Sequence, residues 1–295
     1  MKLQKVKRDG ENIPWLESNE NTLCEVLKQY TSGLNPIGQM SSGSFNEVQK
    51  YGSGKVPTII VRQSKKPMYT LKNNYILPIL KKRTESAHYY EQLTSYNNWK
   101  NASNHGVCPE VIFYGYIRKV QKLYLCIVQE AFDMDLLTFW DDHVNDESYD
   151  SIICKELLRL TYTLNVKLSI ACSDVKPENT VVRLHANTPK IRIIDLDGDM
   201  CVSSDGTITS WILTIIMYSM HFTVRFKNNI FYEFLHDSFR NGRISLPNEG
   251  EVMFPNATSI QRLWTNSPHY AQQASVYFPT YKSFASIFQK CLKHK

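Results

Sequence analysis

The stretch 172–198 constrains this chain more than any other. It crowds Asp174, Lys176 and Asn179 into the run Cys-Ser-Asp-Val-Lys-Pro-Glu-Asn. Two short β-branched runs follow, 180–184 and 190–194, and the second leads straight into Asp195-Leu-Asp197-Gly198. Short runs rich in Val, Ile and Thr, bounded by polar turn residues, read as strands. Two strands with Asp, Asn and Asp at their ends gather hard oxygen donors in one place, a chemistry that suits Mg²⁺ and the phosphates it carries. A lysine beside them can neutralise charge developing on a phosphoryl group. Loops set by rigid elements are where catalytic groups collect. The plainer reading of the same residues is a capping turn on a solvated loop.

The rest of the pattern divides in two. Apolar runs at 45–49 and 58–61 flank Tyr51-Gly-Ser-Gly-Lys-Val-Pro, the signature of a hairpin. Residues 75–99 carry apolar side chains at helical spacing, with one proline near the start. Residues 111–116 and 123–128 are strand-like again. After Phe132 the character turns helical: 135–140 and 152–164 read as helices, the second with Ile153, Leu157, Leu160 and Leu164 on one face. From Ser210 onward the chain is expected to be mainly helical. The expected architecture is α+β: a small β-rich lobe over 37–130, a larger mainly helical lobe over 131–295, and an extension, 1–36, packing on the first lobe.

Composition supports a packed chain. Hydrophobic residues at 42% supply a core, and 21% charged with 12 prolines and 12 glycines argues against disorder. A net charge of +6 is too modest to demand nucleic acid, which is not expected as the main partner. Seven cysteines without a CxxC pair read as reduced thiols, not a zinc site or a disulfide scaffold. The longest apolar run, 211–222, is short of the ~20 residues a bilayer requires, and the charged N-terminus lacks a secretory apolar stretch. An intracellular, cytoplasmic protein with no membrane span is expected.

D-x-K-P-x-N followed by a strand, a turn and an Asp-hydrophobic pair resembles the catalytic loop and metal-binding segment of the eukaryotic protein-kinase superfamily. The resemblance implies a two-lobed kinase fold using ATP and Mg²⁺. Asp174 would accept the substrate hydroxyl proton and Lys176 would contact the γ-phosphate. Asn179 and Asp195 would hold Mg²⁺, with Asp197 a further ligand in place of the family's glycine. Upstream, Ser41-Ser-Gly43-Ser44-Phe45-Asn46-Glu-Val48 is similar to the glycine-rich loop over the phosphates, with Ser41 and Asn46 replacing two glycines. Asn46 can still reach positive φ there. Arg62 stands where the family has its ATP-contacting lysine, and Lys65 or Lys66 would substitute under a shifted register. Its helix partner would be Glu85, with Glu91 the competitor. Gln129 would be the gatekeeper, the backbone of Glu130 to Phe132 would bind adenine, and Val48 would cap the ring.

The departures carry information too. Cys172 and Ser173 replace the His and Arg of the family's catalytic loop, so a receptor for a phosphorylated activation loop is missing. That segment is short, no Ala-Pro-Glu motif follows, and the usual aspartate of the next helix is not evident around Ser210-Trp211. The resemblance therefore implies a constitutive or partner-controlled enzyme, and it covers about 37–220. The Asn/Ile/Lys/Tyr-rich composition is similar to kinases of large DNA viruses. Three readings stand: a serine/threonine kinase acting on protein substrates, a pseudokinase scaffold without efficient turnover, and a small-molecule or lipid kinase of the same fold.

Overall fold

The computed structural model describes residues 3–5, 14–18, 33–42, 46–54, 56–72, 75–78, 85–143, 147–172, 174–196, 201–204, 206–208, 210–212, 214–215, 236–238, 240–254 and 258. It is a mixed α+β chain that divides into two compact units, Met1–Asp133 and Met134–Lys295.

In the first unit, nine strands among the described residues form one sheet. They are β1 (Leu3–Lys5), β2 (Pro14–Ser18), β3 (Asn35–Ser42), β4 (Asn46–Ser53), β5 (Val56–Ser64), β6 (Tyr69–Lys72), β7 (Tyr75–Pro78), β8 (Val111–Lys119) and β9 (Lys122–Glu130). The main path runs β1-β2-β8-β9-β5-β4-β3, with β6 pairing both β7 and β9. Thus β1 and β2, from the N-terminal 36 residues, belong to this sheet, β2 lying parallel to β8.

Strand alternation decides which residues are buried together. Tyr51, Ile59, Val61, Phe113, Ile117, Cys126 and Val128 form one core cluster. Burial there pushes the Cys126 thiol up to about 12, so it stays neutral. Tyr69, Tyr116 and Leu123 form a second cluster, with the two tyrosine rings edge to face at 5.2 Å.

Helix α1 (Glu85–Asn104) buries Trp99 and Ala102 completely and brings Tyr96 to 5.3 Å from Tyr114 of β8. It ends where Gly106 adopts φ 62°. There Val107 N–H donates to the Ala102 carbonyl and Gly106 N–H to that of Ser103, a Schellman closure that needs a left-handed residue.

The expectation of helix over 75–99 is corrected at its start: residues 75–78 are strand β7, paired with β6 as a hairpin. A short apolar run satisfies both periods, and the partner strand decides.

The second unit opens with β10 (Met134–Asp135) and α2 (Leu136–Asp142). Asp135 caps α2, its Oδ1 accepting from Thr138 N–H at 2.8 Å. Helix α3 (Asp150–Tyr162) buries Ile153, Cys154, Leu157, Leu158 and Leu160, then continues as a π-helical turn over Thr163–Lys167. Strand β11 (Ile170–Cys172) pairs with β14 (Cys201–Ser203). Strands β12 (Thr180–His185) and β13 (Thr188–Ile193) form a hairpin that β10 extends to three strands. Its turn residues, Ala186 and Asn187, have φ 48° and 62°, the signature of a tight type I′ connection.

Most of the stretch expected to be mainly helical, from Ser210 onward, lies outside the described residues, and the described part includes one hairpin. β15 (Arg243–Leu246) and β16 (Gly250–Met253) form a hairpin whose turn has Asn248 at φ 62°. Within β15 the alternation Arg-Ile-Ser-Leu buries Ile244 and Leu246. No helix among the described residues is long and apolar enough to cross a membrane.

Candidate active site

The densest polar constellation lies between β11 and β12. Val175 is buried, and so is Pro177, which opens a 3₁₀ turn over Pro177–Asn179. That turn aims its polar side chains back on the loop. Asn179 Nδ2 donates to the Asp174 carbonyl at 2.9 Å and to Asp174 Oδ2 at 2.8 Å. Lys176 Nζ donates to Asp174 Oδ1 and Oδ2 at 3.0 and 2.9 Å. Thr180 Oγ1 donates to the Lys176 carbonyl at 3.0 Å, fixing the exit.

Asp195 joins this group through the β12–β13 hairpin. Ile194 N–H donates to the Asn179 carbonyl at 2.8 Å, which ties the end of β13 to the 3₁₀ turn. Asp195 itself sits at φ 66°, the left-handed region, which Asp tolerates better than most residues. The hydrogen bonds it donates to Asp174 hold the Lys176 ammonium above the ordinary lysine value, against its desolvation, and the charges of Asp174, Glu178 and Asp195 add to this. The structure thus brings together Asp174, Lys176, Asn179 and Asp195. Asp197 lies outside the described residues.

Two of these groups offer oxygens of the hard type that a small divalent cation takes. With Asn179 Nδ2 committed to Asp174, its Oδ1 is the atom that can ligate. That oxygen and the Asp195 carboxylate are the donors Mg²⁺ takes when substrate phosphates complete its shell. Among the described residues no group of three or more His, Cys, Asp or Glu is assembled, so a site ligated by such side chains alone is not present there.

In the first unit, β4 and β5 set Val48 directly opposite Arg62, and β5 and β9 set Ile60 opposite Gln129. Directly opposed residues share a face, and so do residues two apart. Val48, Arg62 and Gln129 therefore lie on one face of the sheet. Asn46, opposite Ser64, is the diagonal neighbour of Arg62 on that face. Its amide oxygen accepts from Arg62 Nη2 and Nε at 2.8 and 2.9 Å. Asn46 is extended within β4 and does not use the positive φ open to it. Its side chain, not its backbone freedom, does the local job.

Ser41 lies in β3 opposite Val48, while Gly43 and Ser44 lie outside the described residues. Glu85 is the first residue of α1, and its side chain, like that of Glu91, is outside the described set. Phe132 is buried. Glu130 N–H donates to the Glu110 carbonyl and Ala131 N–H to that of Thr58, so those two amides are engaged within the sheet. The expected contact of the 130–132 backbone with adenine is narrowed accordingly.

A network absent from the sequence analysis joins the end of α3 and its π-helical turn to residues 204–214. Asn165 Nδ2 donates to Thr214 Oγ1 at 3.1 Å, and Ser204 Oγ donates to Asn165 Oδ1 at 2.8 Å. Trp211, fully buried, donates from Nε1 to Thr161 Oγ1 at 3.1 Å. Gly206 closes the corner at φ 69°, where a Cβ would lie 3.1 Å from Ser169 Oγ. The signal available was Asn165 itself, an amide continuing the apolar face of α3.

No family model matches the chain, and no curated protein matches it.

Proposed function

We propose that this chain is an ATP-dependent protein kinase of the eukaryotic type, transferring the γ-phosphoryl group to serine or threonine hydroxyls of proteins. The observation that carries the reading is the mutual fixation of Asp174, Lys176 and Asn179 at the head of a hairpin whose return strand ends in a left-handed Asp195. The first unit would be the nucleotide-holding lobe and the second the transfer lobe. The described cysteines, none of them in a disulfide, suit a reducing compartment such as the cytoplasm.

Asp174 would accept the proton of the attacking hydroxyl, held in orientation by Lys176 and Asn179. Lys176 would stand beside the transferred group and balance its charge. Asn179 and Asp195 would hold Mg²⁺, which when bound neutralises phosphate charge. Arg62, beside Val48, is the first unit's cation suited to phosphate oxygens.

A scaffold without efficient turnover is the second reading, and one contact favours it. Arg62 is gripped by Asn46 through two hydrogen bonds, which a lysine's single ammonium would not make in this form. One experiment separates the two. Purified protein with Mg²⁺, labelled ATP and a generic basic protein is compared with Asp174→Asn. Transfer abolished by the substitution supports the kinase. Thermal stabilisation by ATP without transfer supports the scaffold, and absence of nucleotide binding refutes the kinase.

A further inference from the structure

We propose that Cys172 and Cys201 form an oxidisable pair that closes to a disulfide, a modification site bracketing the candidate active site. Strands β11 and β14 are antiparallel, and their register sets Cys172 directly opposite Cys201. The hydrogen-bond phase of this ladder follows from its outer end. Ser204 N–H donates to the Ser169 carbonyl at 2.7 Å, so Ser169 and Ser204 are a hydrogen-bonded pair. Such pairs alternate with non-bonded ones, which makes Ala171 and Val202 bonded, and Cys172 and Cys201 non-bonded. Opposed Cα atoms at a non-bonded position lie about 4.5 Å apart, with side chains close on the same face. Disulfides span Cα separations of about 4.4–6.8 Å, so the backbone already meets the requirement.

Neither residue is in a disulfide, and they are 3% and 2% exposed. Among the described cysteines no other faces a cysteine across a ladder: Cys126 lies opposite Gln63 and Gly115, and Cys108 and Cys154 are not in strands. Burial selects the oxidant. A tripeptide disulfide is too large for thiols so enclosed, whereas hydrogen peroxide is the size of two waters. One thiol attacks peroxide to give a sulfenic acid and one water. The second thiol then displaces the hydroxyl from that sulfur, releasing another water and forming the S–S bond. Two thiols are oxidised, one peroxide is reduced, and thiol reagents reverse the bond. Access comes from local opening of the ladder, three residues long and two strands wide, which is small enough to open below global unfolding.

The position gives the bond its consequence. Asp174, Lys176, Asn179 and Asp195 all lie between Cys172 and Cys201, so the disulfide ties together both ends of the segment that carries them. The cross-link stands on register alone; its effect on turnover rests on the kinase reading.

The test takes the full chain, reduced and then exposed to peroxide, alkylated and digested without reductant. Mass spectrometry is expected to find the peptides of Cys172 and Cys201 joined, lighter by two hydrogens, released by dithiothreitol and absent in Cys201→Ser. Recovery of both residues as alkylated thiols, as separate sulfinic acids, or bonded to other cysteines overturns the proposal, and this readout needs no variant to fold. In parallel, phosphoryl transfer by the oxidised chain is expected to fall about tenfold, to recover with dithiothreitol, and to stay insensitive to peroxide in Cys201→Ser. A cross-link without transfer in the reduced protein refutes the kinase and leaves the modification standing. Transfer unchanged in cross-linked protein refutes the regulatory consequence.

Discussion

Replacing Asn179 tests the geometry on which the candidate site depends. Its Nδ2 makes two hydrogen bonds to Asp174, one to a carbonyl and one to a carboxylate oxygen. A neutral bond contributes about 1 kcal/mol and one to a charged group about 1.5–3. The Asp174 side chain is 22% exposed, so water restores part of both. Asn179→Ala should then cost about 1.5 kcal/mol. Asn179→Asp keeps the volume but sets a carboxylate oxygen where a donor stood, 2.8 Å from Asp174 Oδ2. Two like charges about 4 Å apart near a surface repel by roughly 4 kcal/mol, which the Lys176 ammonium and side-chain rotation partly offset. A total cost of about 3 kcal/mol at neutral pH is expected. The sign of its pH dependence is definite. Crowded carboxylates raise one native pKa above the unfolded value, so the folded form binds the extra proton and stability is lost as pH rises. Urea unfolding followed by circular dichroism, at pH 5 and pH 7, should show the gap between the two variants narrowing at the lower pH, with the slope against urea unchanged. Equal stability of the two variants at both pH values would refute the hydrogen bond from Asn179 to Asp174.

Two further outcomes follow from contacts in the second unit. The native Lys176 ammonium is held above its unfolded value, chiefly by its hydrogen bonds to Asp174, so its stabilising contribution is full below the ordinary lysine range and lost as pH rises through the native value. With Lys176 at 35% exposure the pair contributes at most about 1 kcal/mol, and Lys176→Met should flatten the alkaline limb of the stability profile by no more than that. Trp211→Phe removes the indole donor to Thr161 and part of a fully buried ring that meets Tyr162 edge-on at 5.1 Å; chemical unfolding should register a loss of about 2 kcal/mol, and a loss under 0.5 would refute the contact.

The legible parts of this molecule are those whose partners are near in sequence. Strands β5, β8 and β9 were readable because each is a nine-residue run rich in β-branched, aromatic and leucine side chains, and β4 because the Gly-Ser-Gly turn joins it to β5. Strands β7 and β15, at four residues each, were not. Their identity comes from pairing with β6 and β16, and a four-residue window cannot register a neighbour. Part of the candidate site was readable for the same reason. Asp174, Lys176 and Asn179 bond one another within a single loop, and a tight hairpin brings Asp195 back to Asn179.

Contacts set by register or by distant segments escaped. Asn46 meets Arg62 only because residue 46 lies opposite residue 64, which turns a substituted glycine position into a side-chain clamp. Asn165 meets Ser204 and Thr214 across 39 and 49 residues. Spacing says nothing about such pairs, but energetics does: an amide that extends the apolar face of a helix must be hydrogen-bonded or incur an unpaired buried group. Cys172 and Cys201 combine both lessons. Each alone is an unremarkable apolar position beside a polar loop, and only the ladder between β11 and β14 makes them a pair. Where a chain keeps its reactive groups within one short segment, the contacts that govern that segment are the ones joining its two ends, and register is what reveals them.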